Sequence, residues 1–185
     1  MTHLWVRAEQ RQNEDRVGLT PQGAKALLAA GIQVTVEYSK TRAIPMQGYI
    51  DAGVETAPEN SWPSAPADAI IFGLKELPDD GTPLPHRHIM FGHAFKGQHS
   101  GLTLLKRFQA GGGTLYDLEY LVDETGRRVA AFGYWAGFAG AAVTLLAWAA
   151  QQHGQICGPV SAYPNKDALL AELAQTLDAT NIPRP

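Results

Sequence analysis

Apolar and polar positions divide the chain into short strand patterns and longer helical patterns. Five short segments rich in β-branched, aromatic or other apolar residues have the length and composition of strands. They occupy residues 3–8, 32–39, 68–74, 88–94 and 114–122. Thr20 as N-cap, Pro21 at the first helical position and Gly31 after the last turn delimit a helix between the first two strands.

Further helical patterns occupy residues 42–53, 100–110 and 166–178. Strands that alternate with helices predict an α/β, Rossmann-like fold, with a mostly parallel sheet flanked by helices. Residues 56–67 contain Pro and Ser and read as a loop. After a turn at residues 123–126, residues 127–132 are expected to return as a strand that pairs with the one before the turn.

An uncharged stretch at residues 129–150 is long enough to cross a bilayer as a helix. The alternative is a strand end followed by a helix, near residues 134–152, that is buried on all sides. Glycines at 133, 137 and 140 suit close packing. Because the rest of the chain has the pattern of an ordinary α/β protein, we expect no membrane partner.

Composition narrows the classes of function. The chain of 185 residues carries a net charge of −3, so it lacks the basic excess of a general nucleic-acid binder. Its one cysteine, Cys157, supports neither an internal disulfide nor a cysteine-based zinc site. The first residues turn charged too early for a secretory signal, so we expect a cytoplasmic protein.

Ligands of parallel α/β sheets bind beyond the carboxyl ends of the strands. Polar residues that follow predicted strands are therefore candidates, namely Glu9, Arg11, Lys75, Glu76, His93, Lys96 and Glu119. Lys75 directly follows a predicted buried strand, where it is a usable base; a solvated lysine at a strand end is the alternative. His93 ends the next strand, and the alternative to a catalytic role is a core histidine bonded to a backbone carbonyl.

A lysine and a histidine that face one cleft can divide two proton transfers at neutral pH. His86 and His88 adjoin a Pro-rich loop, and we expect both on the surface. A metal site formed by these two and His93 is not expected, because their spacing is neither a helical pair nor accompanied by a carboxylate.

Positive charge converges on the same edge of the predicted sheet, through Arg11, Arg16, Lys75, Lys96, Arg127 and Arg128. In a chain of net negative charge this favours a ligand with carboxylates, since arginine binds a carboxylate through two parallel hydrogen bonds. The alternative is ordinary loop charge. Gly111–Gly113 follow a helix and precede a strand, the reverse of the order in a dinucleotide-binding loop, so no nucleotide fingerprint is present.

Several motifs, spread over almost the whole chain, carry a family resemblance. They are LWVRAEQRQNEDRVGLTP, IIFGLKELP, HIMFGHAFKGQ, GGGTLYDLEYLVDETGRRVAAFGYWAGFAGAA and SAYPN. Together they resemble the amino-terminal half of NAD-dependent, lysine-forming saccharopine dehydrogenase and, more distantly, alanine dehydrogenase. The resemblance implies an oxidoreductase of lysine metabolism that uses NAD to cleave saccharopine oxidatively to lysine and 2-oxoglutarate.

The resemblance also implies roles for individual residues. Lys75 is the expected lysine base and His93 the expected acid/base histidine. Positions that contact the substrate or its carboxylates are Arg16, Gln98, Arg128 and Phe132. Charged groups that tune the site are Glu14, Glu76, Lys96 and Glu119, and Arg127 matches a position close to the cofactor. One base would take the amine proton as hydride leaves, and a second would activate water for imine hydrolysis.

Two domains are implied as well. Residues 1–132 correspond to the substrate domain, and residues 133–185 to an interdomain helix and the start of a dinucleotide-binding domain that the chain lacks. We therefore expect acid/base residues without turnover, since NAD has no place to bind. Expected partners are saccharopine, lysine and 2-oxoglutarate, together with a second copy or the dinucleotide-binding domain packed on the apolar helix. The alternative function is a non-catalytic module that binds an amino acid or a dicarboxylate.

Overall fold

Six parallel strands, in the order β3-β2-β1-β4-β5-β6, form a sheet within the part of the chain that the structure describes. The computed structural model describes residues 1–94, 99–161 and 163–180. Its strands are β1 (His3–Val6), β2 (Gln33–Glu37), β3 (Glu55–Ala57), β4 (Ile70–Phe72), β5 (Arg87–Met90) and β6 (Thr114–Asp117). Its helices are α1 (Pro21–Ala29), α2 (Met46–Asp51), α3 (His99–Gly111), α4 (Gly133–Gln152) and α5 (Lys166–Asp178). The expected α/β, Rossmann-like class is confirmed.

Apolar clusters cover both faces of this sheet. Val6 and Phe72 pack in a cluster that includes Val36 and Tyr49, whereas Trp5 and Ile71 pack in another that includes Leu104 and Phe108 of α3. Neighbouring residues of a strand point to opposite faces, so the alternation places one cluster on each side. Strands buried on both faces suit the continuous apolar segments seen in the sequence.

The predicted helix signals around α1 are confirmed. Thr20 accepts a hydrogen bond from the Gly23 N–H at 3.1 Å, and Pro21 is the first helical residue. Gly31 then takes a φ of 79°, a left-handed conformation that costs glycine little. The second predicted helix is shorter than residues 42–53, because α2 begins only after Pro45.

Two predictions of loop and strand are wrong. Part of the predicted loop 56–67 pairs with β2 as the edge strand β3, and Trp62–Ser64 form a 3-10 turn. The strand predicted to reach residue 122 ends at Asp117, whose carboxylate accepts the Glu119 N–H at 3.0 Å and caps a second 3-10 turn, Leu118–Tyr120.

The expected return strand at residues 127–132 is also wrong beyond its first contact. Only an isolated antiparallel bridge joins Val122 to Arg128 in the described structure. The turn between them forms as expected, with the Gly126 N–H donating to the Asp123 carbonyl at 3.0 Å. Exposed side chains on both arms explain why no longer ladder forms, since a hairpin without a buried face gains little from pairing.

The expectation of surface histidines at positions 86 and 88 is wrong. His86 is 4% exposed and His88 is 1% exposed. The His88 ring meets the edges of Trp62 and Phe108, at centroid distances of 5.2 and 5.3 Å. The adjoining Pro-rich loop therefore does not keep these rings at the surface. Trp62 and Phe108 of α3 pack on His88, and His86 Nε2 lies 3.2 Å from the Ala65 carbonyl oxygen.

The chain divides into two compact units, residues 1–130 and residues 131–185. Within the second unit, Ala142 and Leu146 of α4 pack against Leu169 and Leu173 of α5. The expectation that the apolar helix is buried on all sides is wrong for this chain, since most of α4 is exposed. The helix is long and apolar enough to cross a membrane, a test that helices in the cores of soluble proteins also pass. The roles assigned to the two predicted domains stay predictions.

Candidate active site

Lys75 lies three residues beyond the end of β4, where charged groups from the end of β1 hold its main chain. The Glu9 carboxylate accepts the Leu74 N–H at 2.6 Å and the Lys75 N–H at 3.0 Å. The Arg7 guanidinium donates to the Lys75 carbonyl. The Lys75 residue itself is half-buried, so it lies at the rim of the core with its backbone fixed.

His93 lies at the corresponding position beyond β5. Its φ of 48° places it in the left-handed region, which is uncommon for a residue other than glycine and stores local strain. The imidazole stacks on Phe91 at 6.2 Å, and its Nδ1 lies 3.9 Å from Glu119 Oε2. The Gly92 N–H before it donates to Asp117 Oδ1 at 3.2 Å, which ties this corner to the end of β6.

The two candidate proton-transfer residues, Lys75 and His93, follow adjacent strands of the sheet. β4 and β5 pair in parallel, and beyond the strands the Phe91 N–H donates to the Leu74 carbonyl at 3.0 Å. Lys75 and His93 each follow this last rung closely, so both stand at the carboxyl edge where parallel sheets bind ligands.

A glutamate–arginine pair adjoins Lys75. Arg16 donates to Glu14 through Nε at 2.7 Å and through Nη2 at 2.6 Å, the two-point geometry of a strong ion pair. The hydrogen bond from Arg16 lowers the pKa of Glu14, and the charge of Lys75 adds to this effect. The same hydrogen bond raises the pKa of Arg16, so both groups are charged at neutral pH.

Two further glutamates of the predicted set bind arginines. Arg128 donates to both oxygens of Glu119, with nitrogen–oxygen distances of 3.0 and 3.1 Å. Arg11 lies 3.2 Å from Glu76 in an exposed pair. An exposed pair such as Arg11–Glu76 contributes little to stability, so it bears mainly on the charge presented at the sheet edge.

Four further residues belong to the predicted set, namely Lys96, Gln98, Arg127 and Phe132. Lys96 and Gln98 lie outside the described residues. Phe132 belongs to the second unit, and Arg127 is an exposed residue whose N–H donates to the Asp123 carboxylate at 3.0 Å. Among the described residues, no group of three His, Cys, Asp or Glu side chains is placed to hold a metal ion.

Sequence reasoning assigned no role to Arg7, Glu37 or Asp117. The Glu37 carboxylate is fully buried and accepts N–H groups from Trp5, Ala8, Asn60 and Trp62, at 2.9, 2.8, 3.0 and 2.5 Å. It thereby links the ends of β1 and β2 to the segment that follows β3. A charged residue as the last position of an apolar strand is the signal that indicates such a link.

The residues of this edge do not fit a dinucleotide. In this type of fold the pyrophosphate binds a glycine-rich turn between the first strand and a helix N-terminus. Here the connection from β1 to α1 contains several charged side chains but no G-x-G-x-x-G pattern. Pro21, at the first position of α1, also lacks the N–H that a phosphate would accept from.

Two curated relatives match nearly the whole chain. Saccharopine dehydrogenase (NAD(+), L-lysine-forming) of Schizosaccharomyces pombe is 49% identical over 176 residues, which cover 94% of this chain and 48% of the relative. The enzyme of the same name from Yarrowia lipolytica is 48% identical over 179 residues, 95% of this chain and 48% of the relative. The chain thus spans about half the length of these relatives.

A solved structure shows the fold that this chain shares, and a family model shows the family to which it belongs. L-alanine dehydrogenase superposes with a TM-score of 0.56 at 17% identity, over 82% of this chain and 38% of that one, which shows a shared fold. The family model described as alanine dehydrogenase/PNT, N-terminal domain, matches residues 5–139. Since this match covers most of the sequence, including strands β2 to β6 and the end of β1, the chain belongs to the family of alanine dehydrogenase/PNT N-terminal domains.

Proposed function

We propose that this chain is the acid/base and substrate-binding half of a saccharopine dehydrogenase-like oxidoreductase of lysine metabolism. The observation that carries the proposal is the position of Lys75 and His93 at adjacent strand ends, next to two glutamate–arginine pairs. A non-catalytic binding module would need the arginines but not both proton-transfer groups. Identity of 49% to a relative named for this reaction supports the same conclusion.

The proposed chemistry is the oxidation of a secondary amine followed by hydrolysis of the imine. The Lys75 side chain accepts the proton of the substrate nitrogen while the adjacent C–H bond breaks and its hydride leaves. Water then adds to the imine carbon while His93 passes one of its protons to the nitrogen. His93 next takes the remaining O–H proton and passes it to the nitrogen as the C–N bond breaks and the C=O bond forms. The products are lysine and 2-oxoglutarate.

The hydride acceptor in this proposal is NAD, which the relatives' name gives. The described residues between β1 and α1 do not fit its pyrophosphate, so we assign NAD to the half of the relatives that this chain does not match. Arg127 would then approach the cofactor from this half. We propose that the exposed apolar surface of α4 packs on that second half or on a second copy, and that the protein is cytoplasmic.

Arg16 and Arg128 would bind the carboxylates of saccharopine. Their side chains are 51% and 46% exposed, so a ligand can reach both, while Glu14 and Glu119 hold the guanidinium groups in place. Arginine pairs with a planar carboxylate through two hydrogen bonds, which aligns the substrate nitrogen for proton transfer. Further contacts in this proposal come from Gln98 and Phe132, with Glu76 and Lys96 adjusting the local charge.

Ligand binding by the purified chain tests the substrate half of the proposal. Calorimetry with 2-oxoglutarate and with saccharopine should show binding that Arg128→Met and Arg16→Met each weaken by about tenfold or more, since each removes a charged hydrogen-bonding partner. Arg87→Met is the matched control, because Arg87 lies at the opposite, amino-terminal end of β5. Absence of binding by the unaltered chain would contradict the proposal.

Turnover separates the enzyme from the binding module. The purified chain with NADH, lysine and 2-oxoglutarate should be inactive, and addition of the separately produced remainder of the Schizosaccharomyces pombe relative should restore NADH oxidation. Lys75→Met and His93→Asn should each lower the restored rate by about a hundredfold or more. Ligand binding without restored turnover would favour the non-catalytic module, and turnover by the chain alone would refute its inactivity.

A further inference from the structure

Arg7 and Glu9, at the end of β1, together hold the main chain around Lys75. Glu9 accepts both the Leu74 and Lys75 N–H groups, and Arg7 donates to the Lys75 carbonyl. The two side chains also lie 3.4 Å apart as an ion pair. Both peptide groups of Lys75 are therefore bonded to charged partners, a stronger hold than a neutral turn provides.

The pair is unusually buried for such charged residues. The Arg7 side chain is 0% exposed and that of Glu9 is 7% exposed. Burial lowers the pKa of Arg7, and the negative charges of Glu9, Glu37 and Glu76 oppose that effect. A buried charge pair is costly to desolvate and contributes little net stability, so its presence calls for a role besides folding.

Gly73, the first residue after β4, makes room for this arrangement. A Cβ atom at this position would overlap the Cζ and Nε atoms of Arg7, so the guanidinium lies directly against the Gly73 backbone. An alanine there would displace the flexible end of Arg7 while leaving every charge unchanged. The structure thus offers two independent ways to disturb the hold on Lys75, one at Glu9 and one at Gly73.

We propose that the Arg7–Glu9 pair is the positioning device of Lys75, which fixes the backbone from which the lysine amine reaches its substrate. Neither residue touches the substrate in this arrangement; both act through Lys75. The proposal rests on the proposed function for the role of Lys75 as a base. The competing interpretation is a purely structural anchor that joins the ends of β1 and β4 without affecting the lysine side chain.

Competitive lysine labelling of the full chain distinguishes these interpretations. Lys75 and Lys25, an exposed lysine on α1, are reductively methylated together, and mass spectrometry gives the ratio of their rates. Glu9→Gln and Gly73→Ala should each change this ratio by about threefold or more, because the Lys75 backbone loses charged hydrogen bonds. Glu55→Gln, a matched charge change on β3, should leave the ratio unchanged.

Hydrogen exchange shows whether the sheet of each variant remains folded. Glu9→Gln should speed exchange at the Leu74 and Lys75 amides by about tenfold, while the Ile71 and Met90 amides keep their protection. An unchanged labelling ratio in both variants, despite faster exchange at these two amides, would overturn the positioning role. If one variant unfolds, the other decides the outcome alone.

Labelling in the presence of 2-oxoglutarate tests the proposed function separately from the positioning role. In the unaltered chain, saturating 2-oxoglutarate should slow the labelling of Lys75 relative to Lys25, and Glu9→Gln should lose at least half of that protection. Protection absent from the unaltered chain would count against the proposed function but leave the labelling ratios of the variants readable. Protection equal in the unaltered chain and both variants would count against positioning by Arg7 and Glu9.

Discussion

Glu119 binds Arg128 through both carboxylate oxygens, at 3.0 Å to Nη1 and 3.1 Å to Nη2. The same carboxylate lies 3.9 Å from His93 Nδ1. A residue of the 3-10 turn after β6 thus contacts both a proposed carboxylate-binding arginine and a proposed proton-transfer group. Any anionic ligand of Arg128 must compete with this carboxylate or accept its repulsion.

Replacement of Glu119 by Gln should therefore tighten the binding of 2-oxoglutarate. Loss of one negative charge next to Arg128 removes both the competition for its N–H groups and the repulsion of the ligand, and we expect an affinity gain of about threefold to tenfold. Calorimetry at low salt measures it. Glu124→Gln, in the exposed turn nearby, should change affinity much less; weaker binding by Glu119→Gln would contradict this view of the site.

Local patterns sufficed to predict the strands that matter most for the site. Lys75 and His93 follow apolar strand segments, and parallel α/β sheets collect such positions at one edge. The contacts of Arg7 and Glu9 with Lys75 could not be predicted, because they join residues 65 to 68 positions apart and depend on β1 lying next to β4. No local pattern encodes that strand order.

The errors have the same physical origin. The sequence predicts a loop at β3 because a three-residue edge strand gains its stability from pairing with β2 rather than from its own composition. It predicts a surface position for His88 because a Pro-rich loop precedes this residue, whereas Trp62, distant in sequence, covers its ring. Tertiary packing determines both the pairing of β3 and the burial of His88, and local composition does not predict such packing.

His88 should make the first unit sensitive to acid. Burial lowers the pKa of His88 to about 3, helped by the positive charge of Arg7, by His86 and by Arg107, and neither ring nitrogen has a hydrogen-bond partner in the described structure. Below the ordinary pKa of about 6.5 the unfolded chain binds a proton that the folded chain does not. Stability from this group is therefore complete above pH 6.5 and decreases as the pH falls toward 3.

The expected loss is about 2 kcal/mol between pH 7.5 and pH 5, since each pH unit below the unfolded pKa costs about 1.4 kcal/mol. Urea unfolding followed through β4 amide resonances at the two pH values measures it. His88→Leu should reduce the loss by most of that amount, whereas His153→Asn, at an exposed histidine of the second unit, should not. Equal pH dependence of His88→Leu and the unaltered chain would exclude His88 as the cause.

The three consecutive glycines at the end of α3, Gly111 to Gly113, should respond differently to replacement by alanine. A Cβ at Gly111 would overlap the Leu84 backbone, and one at Gly113 would overlap the carbonyls of Leu84 and His86. Gly112 has open space but a φ of 76°. Gly111→Ala and Gly113→Ala should each cost about 3 kcal/mol of unfolding free energy or more, and Gly112→Ala about 1 kcal/mol.

Urea unfolding of the three variants at pH 7.5 tests this order. The physical distinction is that backbone atoms cannot yield to a new methyl group, whereas a strained φ costs only local conformational energy. Gly31→Ala is the control, because Gly31 has a similar φ of 79° and likewise no neighbour within 4 Å of a new Cβ. Gly112→Ala should match Gly31→Ala; a Gly111→Ala variant as stable as either would show that the close approach to Leu84 relaxes.

Exposed aromatic side chains of α4 should make the chain self-associate. Tyr134 and Trp135 are 72% and 54% exposed, and their rings lie 5.2 Å apart in an edge-to-face contact, next to Phe138. Soluble monomers rarely expose large contiguous apolar patches, and burial of such surface drives association. Sedimentation velocity should show a mass that rises with concentration, and Trp135→Lys should shift the midpoint to a concentration about tenfold higher.

Two control variants test whether the loss of apolar contact, rather than the added charge, causes this shift in the association midpoint. Lys166 lies 6.0 Å from the Phe138 ring, so α4 already adjoins a cation near its exposed aromatic residues. Trp135→Ser removes the ring without adding charge and should weaken association nearly as much as Trp135→Lys, because the buried apolar area decides the affinity. Gln151→Lys adds the same charge at an exposed polar position of the helix and should leave the midpoint unchanged. Association that Gln151→Lys weakens and Trp135→Ser does not would identify electrostatics, rather than the aromatic surface of α4, as its origin.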